Sequence, residues 1–286
     1  MRFLKSLFKD KLAASSLVVI LAVIIIGVFA PVFAPHDPLE VNISKKYAGS
    51  SWEYLLGTDQ LGRCVLSRLI YGIRPSILWV MAALMLSVLI GAVLGFIAGY
   101  FKGKVDALIM RVCDIMLSFP GYVMPIAFVG IFGVGLENIL IAFIIMKWAW
   151  FTRVIRTSVM QYTELEYIQF AKAAGVNHFK IIRRHLIPVT LADIAVISSS
   201  SVCSMILQIS GFSFLGLGVQ APAPEWGMML NEARSVMFTR PELMLAPGIA
   251  IITVVFAFNF LSDSLQTIFD PKLMKSKKIR TEKVEA

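Results

Sequence analysis

Residues 75–101 read PSILWVMAALMLSVLIGAVLGFIAGYF, a run without one acidic or basic side chain. A helix crosses the hydrocarbon of a bilayer in about 20 residues, so this stretch is long enough to span it. Within it Gly91, Gly95 and Gly99 recur every four residues, and Gly103 continues the register. That spacing puts them on one helix face, where missing side chains let a neighbouring helix come close. Composition extends the reading to the whole chain: 58% of the 286 residues are hydrophobic and only 16% charged, with a mean hydropathy of +0.78. A soluble domain runs near 45–50% apolar and about 25% charged. The surface implied here would precipitate in water, which excludes a disordered chain, a coiled coil and most soluble folds. The expected class is an all-α, multi-pass membrane protein.

Five further apolar runs bring the expected transmembrane helices to six. They cover residues 12–34, which contain LVVILAVIII, then 115–136, 138–152, 188–214 and 243–261. Pro120 and Pro125 should bend the third span, and Lys147 sits inside the fourth. That lysine is expected near a helix end, reaching the interface beside Trp148 and Trp150. The first span follows Arg2, Lys5, Lys9 and Lys11, as a secretory signal would. Ala30 and Ala34 are each followed by proline, however, so an uncleaved anchor is the better reading. Of the 27 lysines and arginines only Lys45, Lys46, Arg63, Arg68, Arg74, Arg234 and Arg240 fall on one side of this arrangement. Cytoplasmic loops carry the excess of positive charge, so both termini are expected inside. The net charge of +9 is then a topology signal rather than a mark of nucleic-acid binding. The chain accordingly divides into a first segment and span (1–34), an external loop (35–74), a five-helix transmembrane domain (75–268) and a basic cytoplasmic tail (269–286).

The longest internal loop is ordered by its own sequence. Thr163 and Glu166 have the spacing of a capping box, with hydroxyl and carboxylate each taking the other's backbone amide. Leu165, Ile168 and Ala171 recur at helical spacing, as do Tyr167, Phe170 and Ala174. Gly175 follows as a natural helix stop. Asn177 can cap a second helix with Phe179, Ile182 and Leu186 on one face, and Pro188 should end it. Helix, glycine elbow, helix: this pair either lies on the lipid surface or docks into another protein. The small residues Ala171, Ala173 and Ala174 favour close approach, and the residues alone leave both alternatives open.

The stretch Gln169-Phe170-Ala171-Lys172-Ala173-Ala174-Gly175, continuing to Leu186-Ile187-Pro188, resembles the "EAA" loop of ABC importer permeases. That family reads Glu-Ala-Ala, three residues and Gly, with a proline further on; Gln169 and Phe170 depart from it, while Ala171, Gly175 and Pro188 match. Gly57-Thr58-Asp59-Gln60-Leu61-Gly62-Arg63 with Ser67-Arg68, and Phe214-Leu215-Gly216-Leu217-Gly218 with Glu225-Trp226-Gly227, are similar to segments of the dipeptide, oligopeptide and nickel permeases. Cys64 stands where that branch has an aspartate. The resemblance implies a type I ABC importer transmembrane fold in a prokaryotic cell membrane. It also implies a second homologous permease as heterodimer partner, two ATP-binding subunits inside and a substrate-binding protein outside. The loop 160–187 would then carry the coupling helix. The cargo would be peptides, nickel or metal-chelator complexes.

Polar groups within the spans are the candidate pathway: Asp193, Ser198, Ser201 and Gln208. Asp193 lies close to an inner end, where meeting the interface or pairing with a loop arginine is the simpler fate, and serines readily bond back to their own helix. No catalytic or metal-binding constellation is visible. Cys64, Cys113 and Cys203 share no paired spacing, and His178 and His185 read as solvated. Gly99 to Lys104 hints at a phosphate loop, but Ala98 and Val105 occupy positions that require glycine and Ser/Thr. The chain is therefore expected to bind no cofactor, leaving ATP and magnesium to partner subunits. A membrane-embedded enzyme would need paired polar groups at mid-depth, and an independent secondary transporter would normally show an internal repeat and more spans.

Overall fold

The structure, a computed structural model, describes residues 10–269; Arg2, Lys5, Lys9 and the basic tail from residue 270 onward lie outside the described residues. The principal elements are α1 (Lys11–Val28), α2 (Val65–Phe101), α3 (Gly103–Leu117), α4 (Val123–Phe132), α5 (Leu136–Thr163), α6 (Glu166–Ala173), α7 (His178–Phe214), α8 (Trp226–Ala233) and α9 (Glu242–Phe269). Helices α1, α2, α5, α7 and α9 are long and apolar enough to cross a membrane. Among the described residues α4 is a further, shorter apolar helix.

Several boundaries differ from those expected, each for a local reason. Pro75 and Pro188 were the expected edges of two spans, yet both helices run through them. A proline ring clashes with the carbonyl one turn earlier and offers no donor. At each site the helix widens to a π turn: Trp79 N–H bonds to the Arg74 carbonyl, and Ile187 N–H to that of Ile182. Pro188 therefore does not end the second loop helix; it sits in the first turn of the long α-helical part of α7. The third span, expected at 115–136 with bends, is instead broken at residues 118–122, where Pro120 lies, and α3 begins as early as Gly103. Pro125 falls in the first turn of α4, where a missing N–H costs nothing. Lys147 lies well inside the 28-residue α5, not near its end.

Helices α2 and α5 run parallel and in close contact. A methyl group added to Gly91 would lie 2.5 Å from Phe151 Cβ, and one added to Gly99 2.8 Å from the Arg156 carbonyl. Gly103 does not share this face; it opens α3 at φ +60° with free space around it. The core gathers about α5, whose Ile139, Ala142, Ile155 and Val159 are fully or almost fully buried against α2 and α7. Helices α7 and α9 pack antiparallel, with Cys203 Sγ 3.4 Å from the Val255 carbonyl and Ser262 Oγ 3.3 Å from that of Val196. Ser264 on α9 reaches Asp10 at 3.3 Å. The start of α1, the end of α9 and the loop between α5 and α7 thus share one end of the bundle.

Candidate functional site

At that end the chain forms the expected helix–glycine–helix, but not by the expected cap. Helix α5 stays helical to Thr163, which is fully buried, and the Thr163 hydroxyl donates back to the Met160 carbonyl at 2.8 Å. The capping box is therefore absent: Leu165 occupies the N-cap of α6 and Glu166 is its first residue. Gln169 takes over the junction, its amide donating to the Thr163 carbonyl at 2.8 Å. The elbow closes as a two-bond helix terminator, with Val176 N–H on the Ala171 carbonyl at 3.1 Å and Gly175 N–H on that of Lys172 at 3.0 Å. This geometry needs the Gly175 φ of +74°. Asn177 then caps the next helix, accepting from Phe179 N–H at 2.8 Å.

The two faces of this loop are sharply divided. Ile168, Ile181 and Leu186 are completely buried and fix it to the bundle, with Ala171 partly turned the same way. Phe170 and Phe179 are 76% and 69% exposed, beside exposed Tyr167, Ala174 and Gly175. Phe179 therefore does not share a face with Leu186. His178 is not simply solvated: its Nδ1 lies 2.7 Å from the Tyr100 hydroxyl at the end of α2. Lys172 sits over the same Tyr100 ring at 4.9 Å, and Lys102 pairs with Glu164 at 3.1 Å. Partial burial, then the charge of Lys102, hold the Lys172 ammonium below the ordinary lysine range.

The polar residues expected along the spans separate. Ser201 and Gln208 line one cavity of about 420 Å³ between α5, α7 and the break at 118–122, together with Lys147, Trp150 and Ser200. Ser201 spends its hydroxyl on the Ile197 carbonyl at 2.8 Å. Ser198 is not among the lining residues, and its buried hydroxyl has no partner. Asp193 lies elsewhere, accepting from the Tyr162 hydroxyl at 3.1 Å rather than from an arginine. Lys147 is the lining residue that sequence reasoning misplaced. Its position inside a long apolar run was visible, but the extent of α5 that makes it internal was not.

The opposite end holds a cluster in which Asp59, Arg63 and Arg68, quoted from the sequence without a role, meet Glu232, which sequence reasoning missed. Asp59 accepts from Arg63 Nε at 2.7 Å, and Glu232 accepts from Arg63 at 3.0 Å and Arg68 at 2.7 Å. Both arginines are 1% exposed. Beside them Glu225 is fully buried as the N-cap of α8, accepting from Gly227 and Met228 N–H at 3.0 and 2.8 Å and from Ser76 at 3.0 Å. Burial pushes its carboxyl up, against the pull of those donors. The segments 57–68 and 225–232 meet here although about 160 residues of chain separate them.

A bundle of five membrane-length apolar helices and a shorter one, with a two-faced helical loop at one end and a polar cavity within, suits a permease. Residues 91–275 match the model of the binding-protein-dependent transport system inner membrane component, and residues 1–49 that of the N-terminal transmembrane domain of oligopeptide transport permease C. The chain belongs to this family: it is a bacterial, multi-pass, inner-membrane permease subunit of an ABC importer. It is 60% identical over 283 residues to the metal-staphylopine import system permease protein CntC of Staphylococcus aureus, covering 99% of this chain and 98% of that protein. It is 40% identical to the dipeptide transport system permease protein DppC of Alkalihalophilus pseudofirmus (94% and 88% covered). Identity to the nickel transport system permease protein NikC of Escherichia coli is 35% (95% and 97% covered). An inward-facing structure of the MetNI methionine ABC transporter matches at a TM-score of 0.57 and 14% identity, over 71% of this chain and 97% of that one, which speaks for the fold alone.

Proposed function

We propose that this chain is one of two non-identical permease subunits of an ATP-driven importer of a metal-chelator complex, and that the loop from Glu166 to Leu186 couples it to the ATPases. ATP and magnesium are held by two separate subunits, the second permease completes the translocation pathway, and an external binding protein delivers the cargo. Both termini and the coupling loop face the cytoplasm. The observation that carries the reading is the division of that loop. Ile168 and Ile181 are completely buried and anchor it to the membrane bundle, while Phe170 and Phe179 stand exposed on it. Exposed aromatics on a braced helix pair are suited to fill a socket. A push on them reaches α2 through Tyr100–His178 and α7 through its own continuous backbone.

The cargo class rests on the 60% identity to a metal-staphylopine permease across nearly the full length of both chains. The test is uptake of radioactive nickel, supplied free or as its staphylopine complex, by cells with and without the gene. Loss of uptake of the complex on deletion, restored by the intact gene, is the expected result. Unchanged uptake of the complex with loss of dipeptide uptake would move the protein to a peptide importer.

A further inference from the structure

The cavity between α5, α7 and the break at 118–122 contains one cation and no anion. Lys147 enters it about 16 Å along α5 from Leu136, at the 1.5 Å rise of a helix. None of the lining residues is acidic. Asp106 and Asp114, on the helix α3 that packs on α5, are already paired with Arg156 and Arg153. No ion pair or hydrogen bond engages the Lys147 ammonium among the described residues.

Two further features of the same cavity point to a bound molecule rather than to packing. Gln208 Oε1 is buried in it without a donor. The irregular backbone at 118–122 contributes Phe119 and Gly121 to its wall. Non-helical backbone at membrane depth is tolerated where it lines a water-filled cavity or is buried in protein. A lysine within a membrane-spanning helix is costly and ordinarily marks a transport route.

We propose that Lys147 is a cargo-binding residue: its ammonium receives a carboxylate of the translocated molecule in the cavity that it shares with Gln208 and Ser200. A ligand that brings a carboxylate to Lys147 and an N–H to the Gln208 oxygen satisfies both unpartnered groups. Peptides have both, as do metal complexes of aminocarboxylates whose amines are primary or secondary; a bare divalent cation has neither and is repelled by the ammonium. This inference rests on the importer reading and narrows its cargo to molecules that carry a carboxylate.

The test uses the complete transporter in proteoliposomes with its binding protein, in wild-type, Lys147→Met and Lys147→Arg forms. Free nickel, nickel–staphylopine and a dipeptide serve as probes. Lys147→Met should lower uptake of the probe that the wild type carries by about tenfold or more, the loss expected for one charged hydrogen bond. Lys147→Arg should keep most of it, and both variants should co-purify with the second permease. Wild-type uptake by Lys147→Met overturns the proposal. So does loss of the second permease from Lys147→Met, because the lysine would then pair with that subunit instead. A wild type that carries only free nickel also overturns it. A wild type that carries the dipeptide but not nickel–staphylopine overturns the metal-chelator cargo alone, and the dependence on Lys147 is then read on the dipeptide.

Discussion

The outer end of this permease buries a charge network more deeply than any ion pair at its inner end among the described residues. Outside, Asp59, Arg63, Arg68 and Glu232 form a sealed cluster, with side chains 1–12% exposed. Inside, the pairs Lys102–Glu164 and Arg153–Asp114 lie open, with side chains 40–67% exposed. A buried, balanced cluster cannot be opened cheaply, since each ion freed of its partner keeps its desolvation cost. Exposed pairs are screened by water and salt and rearrange at little cost. The outer segments are therefore clamped by charge to one another and to the start of α2, while the loop end is held to the bundle by the buried Ile168, Ile181 and Leu186, and its open ion pairs add little.

Breaking the outer clamp should have the largest effect. Glu232→Ala removes one of the two carboxylates that balance two buried arginines and leaves them Asp59 alone; removal of one partner from such a cluster costs about 3–5 kcal/mol. The purified transporter should melt well below wild type in detergent, and Glu232→Gln should fall between. A melting temperature equal to wild type would show that the outer end is not clamped. Gly175→Val is expected to act next in order. It forces a β-branched residue to a φ of +74°, at about 1–3 kcal/mol of local strain, with no side chain nearby to clash. The two loop helices should then meet at an altered angle, lowering uptake while membrane insertion, followed by fractionation, stays normal. Glu164→Gln should do least. An exposed pair contributes about 0–1 kcal/mol, so uptake and melting should stay near wild type. A large loss there would mean that the inner end is held by charge as firmly as the outer.

The sequence made the apolar elements legible and left their continuity obscure. The glycines at 91, 95 and 99 marked the contact of α2 with α5 because every-four spacing maps directly onto one helix face. Gly175 and Asn177 marked the elbow for an equally local reason. Prolines misled: Pro75 and Pro188 read as edges because a π turn, which absorbs a proline, has no signature in the residues themselves. Thr163 read as a cap because the pattern of the box is local, whereas the burial that keeps α5 helical comes from distant residues. Arg63 and Arg68 could be quoted but not joined to Glu232, since it lies about 160 residues further along the chain. Lys147 needed the length of α5, which depends on packing beyond the apolar run.

The central claim is that the exposed aromatics of the loop seat it in the ATPase subunits. The most direct measurement is co-purification of those subunits with a Phe170→Ala, Phe179→Ala permease, alongside its melting temperature. Both rings are exposed, so their removal should leave the bundle as stable as wild type. Truncating two aromatic anchors should weaken the association by about 2 kcal/mol or more, roughly thirtyfold. The account predicts an intact, membrane-inserted permease that has lost its ATPases and no longer imports cargo. A double variant that keeps the ATPases at wild-type yield and transports normally would contradict it.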